Sequence, residues 1–337
     1  MNPLKVLTQF TKKELSALVA GLLLAAFSGI SLAQVQIESA NQQVQRAKMN
    51  AKLNNPTTES VAPLSEAETD DIGPQFIVRQ KPGRALFEVT FETQFSQSSN
   101  IYLTENDKVR GPVMVSALQL AIAPTPIEFG NGLLGWKGGY RHQKFNYGKF
   151  SRKEKSLNDL DFDVSSLFLQ GYYFSKKNWL LSAGIEHNRL LNAATGKYDE
   201  FYSEWAPTLN FEKQFKLGEK SMLGISGAVA WHRTQVDPPD SGRNDRLDEA
   251  VMLALSHELA PNLSVQPYYR VQFAQYLPHN SRQDLTHSVG VALGYVVNKW
   301  AAIRFSAGFE GRDSSAVAVN DYRKVDTGLG LSLQAKF

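Results

Sequence analysis

The chain contains no cysteine, so no disulfide can brace it and no lipidated cysteine can anchor it. It also lacks a dominant charge. Lys and Arg number 36 against 33 for Asp and Glu, a formal +3 over 337 residues, and that balance argues against nucleic acid as a partner. Beyond residue 33 no long hydrophobic run occurs. Charged residues interrupt every later apolar stretch and the mean hydropathy is −0.30, whereas a spanning helix needs about 20 consecutive apolar residues. Helical membrane spans are therefore excluded, but a β-barrel is not, because only every second residue of a barrel strand must be apolar.

What is present begins with an address label. Lys5, Lys12 and Lys13 precede an apolar stretch from Leu15 to Phe27, and Ser31-Leu32-Ala33 puts small residues where a signal peptidase cuts. Residues 1–33 read as a signal peptide cleaved after Ala33. Residues 34–83 read as a periplasmic N-terminal segment, partly helical or disordered. Ile37, Ala40, Val44, Ala47 and Ala51 recur at three- and four-residue steps, while Pro56 and Pro63 mark a linker; the segment is a tail, a plug or a docking helix.

Residues 84–337 change character. Phe87, Val89, Phe91, Thr93 and Phe95 alternate with Glu88, Thr90, Glu92, Gln94 and Ser96, and similar period-two runs follow to the end of the chain. About twelve are expected, an even number as single-chain bacterial barrels require. Tight turns are expected at Pro124-Thr125-Pro126, Ser175 to Asn178, Leu217 to Lys220, Ala260 to Asn262 and Asn298-Lys299. Longer polar loops alternate with them. The fold class expected is all-β, a transmembrane antiparallel up-and-down β-barrel with short periplasmic turns and longer extracellular loops.

The final segment is the sharpest signal. Thr327, Leu329, Leu331, Leu333, Ala335 and Phe337 share one face, and the chain stops on that aromatic. With Ser98-Ser99-Asn100-Ile101-Tyr102-Leu103 after the first strand, these residues resemble the broad outer-membrane β-barrel porin family of Gram-negative bacteria. The resemblance implies outer-membrane lipids as surroundings and a channel or scaffold as function. It also implies a terminal Phe337 read by the barrel-assembly machinery.

No enzymatic chemistry is expected. A lipid-facing hydrolase of the outer-membrane phospholipase type places His and Ser two apart on one strand, yet Lys144 follows His142, Arg189 follows His187 and Leu259 follows His257 at that spacing. His279 and Ser281 fall in a loop, and the adjacent His287 and Ser288 point to opposite faces. Scattered histidines without cysteine give no metal site, and no cofactor is implied. The inward register is more informative: it assigns Glu88, Glu92, Arg141, Glu186, Arg246, Asp248, Arg270, Arg282, Asp284, Arg304, Glu310, Arg312, Lys324 and Asp326 to the lumen. Mixed charge there either pairs off and closes the barrel or lines a wet pore. A small channel for polar solutes or ions leads. A non-conducting scaffold for a periplasmic or surface protein partner comes second, and an outer-membrane hydrolase third.

Overall fold

The structure, a computed structural model, describes residues 86–106, 108–147, 157, 160–193, 198–236, 244–277, 282–316 and 321–337. The signal peptide, the segment 34–83, Arg84 and His279 lie outside the described residues. The strands are β1 (Phe87–Ser98), β2 (Gly111–Ile122), β3 (Ile127–Phe129), β4 (Gly132–Tyr147), β5 (Phe162–Ser175), β6 (Trp179–Asn192) and β7 (Asp199–Lys216). They continue with β8 (Ser221–Val236), β9 (Arg246–Ala260), β10 (Leu263–Tyr276), β11 (Gln283–Val296), β12 (Ala301–Ser314) and β13 (Tyr322–Lys336). Each stave pairs antiparallel with its chain neighbour, and β1 pairs with β13 from Glu88 opposite Lys336 to Ser98 opposite Asp326. β2 pairs directly with β4, so β3 is no stave and the sheet closes as a 12-strand barrel. Closure leaves no stave with an unpaired edge, which hydrocarbon would punish.

The register explains why this composition forms a barrel. Leu167, Leu169, Leu209, Phe211, Val251 and Leu329 stand outside, each between 46% and 59% exposed. Residues that alternate with such outward positions turn inward, among them the buried Ser166, Gln272, Thr286 and Ser288. An apolar belt around the whole exterior is not a surface that water tolerates, so the belt faces lipid. The short connections gather at the end that holds Leu86 and Phe337, with Asn178 (φ 61°) and Asn262 (φ 68°) taking the left-handed positions that tight turns need. The strand ends joined by the longer connections, such as Ser98 with Gly111 and Ser314 with Tyr322, lie at the opposite end. Phe337 seals the junction: its carbonyl accepts from the Leu86 amide at 3.0 Å and the Phe87 amide at 2.9 Å, and its own amide donates to Phe87 O at 3.1 Å.

One connection differs from expectation. Pro124-Thr125-Pro126 is not the whole turn. The β2–β4 ladder ends at Ile122 opposite Gly138, since prolines beyond it cannot donate to a ladder. The chain then continues into β3 and folds back onto β4 through Gly130 (φ 54°) and Asn131, pairing Phe129 with Gly132. Arg282 likewise lies one residue before β11 rather than within it.

Candidate functional site

Among the described residues, three cavities lined by polar and charged side chains open into the barrel interior. One of about 620 Å³ opens at the short-turn end and is lined by Glu92, Glu212, Gln214, Ser264, Ala292 and Arg304 among others. A second, about 370 Å³, lies toward the long loops and gathers Arg141, Glu186, Glu204, His232, Arg246, Asp248, Arg270, Asp284 and Arg312. A third of about 130 Å³ contains Glu310, Lys324 and Asp326 beneath Tyr147 and Tyr268. Glu88 and Arg282 line none of the three: Glu88 is buried between Lys137 and Lys336, and Arg282 lies over the Tyr276 ring, 4.2 Å from its centroid.

Most of the charge in the second cavity is paired. His232 Nδ1 sits 2.9 Å from Glu204 Oε2 and its Nε2 sits 3.3 Å from Asp248 Oδ2, while Arg246 Nε donates to Asp248 Oδ1 at 3.1 Å. Tyr202 Oη donates to Glu204 at 2.6 Å and Asn188 Nδ2 at 3.2 Å, so the buried carboxylate is well satisfied. Arg141 pairs with Glu186, and Arg282 with Asp284. Lys324 Nζ lies 3.4 Å from Glu310 and 3.0 Å from Asp326. Arg270 and Arg304 stand apart. The Nη1 atom of each is buried without a hydrogen-bond partner among the described residues, and with the charges of Glu310 and Asp248 acting on Arg270 and that of Glu92 on Arg304, positive charge on the wall formed by β10 to β12 is only partly offset.

A lid over part of the lumen was not legible in the sequence. After β1 the chain turns inward at Asn100, which is fully buried; Nδ2 donates to Thr104 O at 2.7 Å, and Oδ1 accepts the Thr104 amide at 3.2 Å. This fold delivers Ile101 into an apolar cluster with Val115, Phe145, Leu157, Phe162, Leu190 and Tyr202. Two apolar residues, Ile101 and Leu103, within a polar loop were the available signal.

The exterior carries polar groups at one level near the long loops. His187 packs on Trp205 with centroids 4.5 Å apart and the rings tilted by 38°, and Tyr269 Oη lies 2.8 Å from His287 Nδ1. On β4 and β5, His142 Nδ1 lies 3.2 Å from Ser165 Oγ, and Nε2 lies 3.3 Å from Asp163 Oδ2. A search for His and Ser on one strand passes over this pair, because its members face each other across two strands. Among the described residues no three His, Asp or Glu side chains are grouped to hold a metal ion.

No protein-family model and no curated protein matches the chain. Solved structures do. An outer-membrane channel of Pseudomonas putida F1 aligns with a TM-score of 0.50 at 12% identity, over 75% of this chain and 96% of that one. The β domain of the Bordetella autotransporter BrkA aligns at 0.43 and 17% identity, over 73% and 98%. The channel DcaP of Acinetobacter baumannii aligns at 0.37 and 10%, over 74% and 96%. The closed 12-strand sheet and its likeness to the Pseudomonas channel give the chain the fold of an outer-membrane β-barrel.

Proposed function

We propose that this barrel is a small outer-membrane channel for polar solutes or ions, with a mild preference for anions. The observation that carries the reading is the lumen: charged cavities of about 620 and 370 Å³ share a wall on which Arg270 and Arg304 keep an unpartnered Nη1. An interior evolved only to be filled would be packed with side chains. Positive charge facing a wet, narrow path lowers the barrier for anions and raises it for cations.

The density of ion pairs around His232 favours a second reading, a closed barrel that serves as a scaffold for a protein partner. Proteoliposome swelling separates the two. A channel swells in isosmotic small sugars and organic anions, faster for smaller solutes; folded protein that leaves liposomes unswollen with every solute is a closed scaffold.

A further inference from the structure

We propose that the outer face of β4 and β5 is an acyl-ester hydrolase site acting on lipids of the surrounding leaflet. Ser165 is the nucleophile, His142 the general base, and Asp163 the carboxylate that orients the imidazole. The β4–β5 register sets His142 directly opposite Ser165, and Asp163 lies two residues along β5 on the same face. The two ring nitrogens of His142 therefore meet the hydroxyl at 3.2 Å and the carboxylate at 3.3 Å at once. That is the arrangement in which a serine can lose its proton as it attacks. The Asp163 side chain is only 4% exposed, and its Oδ1 has no hydrogen-bond partner among the described residues. Such a carboxylate is costly as mere structure and suited to stabilising a transient imidazolium. Tyr140 Oη, 3.1 Å from Ser165 Oγ, is placed to donate to the carbonyl oxygen of a bound ester.

A second feature says what binds. An open apolar groove of about 870 Å³ runs along the exterior and reaches Tyr140; Trp136, Gly138, Leu167, Leu169 and Ile185 line it. Gly138 keeps the groove clear, since a Cβ there would come within 3.2 Å of Leu169 Cδ1. Its walls face hydrocarbon while His142 lies at the level of the other outer-face histidines, where glycerol esters of lipids sit. The occupant is an acyl chain. His187 and His287 at that level have no serine hydroxyl within hydrogen-bond distance among the described residues.

In the reaction, Ser165 Oγ adds to the ester carbonyl carbon and its proton passes to His142 Nδ1. The bond from that carbon to the glycerol oxygen breaks, and His142 returns the proton to the departing alkoxide. Water then adds to the acyl-serine, gives a proton to His142, and a fatty acid leaves as Ser165 recovers it.

The test uses full-length protein purified in detergent, with heat-modifiability confirming the barrel in every variant. A fluorophosphonate probe and fatty-acid release from phosphatidylethanolamine mixed micelles are the readouts. Mass spectrometry should place the label on Ser165, and S165A should lose both label and release. H142F should slow release by roughly 10²–10⁴-fold, the range for a general base. H287F should keep the wild-type rate, and G138L should lower the ratio of long-chain to short-chain ester turnover. Folded wild type that neither labels at Ser165 nor releases fatty acid overturns the proposal, as does undiminished release by S165A or an equal loss in H287F and H142F. None of these outcomes depends on whether the lumen conducts.

Discussion

Two neighbouring residues of β11 give the sharpest stability contrast. His287 and Tyr295 lie on the lipid face eight residues apart, about 27 Å along a strand that rises about 3.4 Å per residue. At a strand tilt of about 40° that is roughly 20 Å of depth, close to the height of the apolar band. Val291 is midway between them, beside Ala307 and Pro267, and shares the face of Val289 and Leu293. Ala292 points the other way, into the cavity of about 620 Å³. Val291→Arg should therefore cost about 2–4 kcal/mol, the range for a cation near the bilayer midplane. Ala292→Arg at the same depth meets a polar, roomy wall with Ser306 opposite, and should cost about 1 kcal/mol or less. Urea unfolding of each variant in liposomes reads the difference. Equal costs, or a larger cost at Ala292, would refute the assignment of faces, because a one-residue slip exchanges lipid and lumen along the whole strand.

Three further outcomes follow from the same geometry. Deleting Phe337 removes the backbone bonds to Leu86 and Phe87, so folded, heat-modifiable protein in the outer membrane should fall several-fold while periplasmic protein accumulates; unchanged levels would count against it. Tyr202→Phe takes a 2.6 Å hydrogen bond from the buried Glu204 carboxylate and should lower stability by about 1.5–3 kcal/mol in urea titrations, the range for bonds to charged groups. Asn100→Ala frees the loop that carries Ile101, so single-channel conductance should rise, whereas an unchanged value would mean that this loop does not constrict the path.

Much of the barrel was legible because alternation is local. Leu263–Tyr276 could be read from Leu263 and Tyr276 themselves, and the faces of β1 and β11 from which of each residue pair is apolar. Ion pairs two residues apart in sequence, Arg246 with Asp248 on β9 and Arg282 with Asp284 at the start of β11, lay in reach of the same reasoning. Other features depend on register between strands, which no local pattern fixes. Ser165 and His142 are 23 residues apart in sequence and meet only because of where β5 is hydrogen-bonded to β4. The pairing of Glu204 with His232 across β7 and β8 has the same origin. β3 was missed because a three-residue hairpin strand is too short to show a period.

The central claim is that the lumen conducts and that Arg270 and Arg304 face the path. Planar-bilayer recording of the purified full-length protein under a salt gradient tests it most directly, with R270Q/R304Q alongside. The account predicts discrete conductance steps and a reversal potential that favours anions mildly. That preference should fade toward 1 M salt, where screening shortens to about 3 Å, and should shrink in the double variant. Folded protein that inserts without any conductance would contradict the claim, and so would a double variant that keeps both the conductance and the reversal potential of the parent.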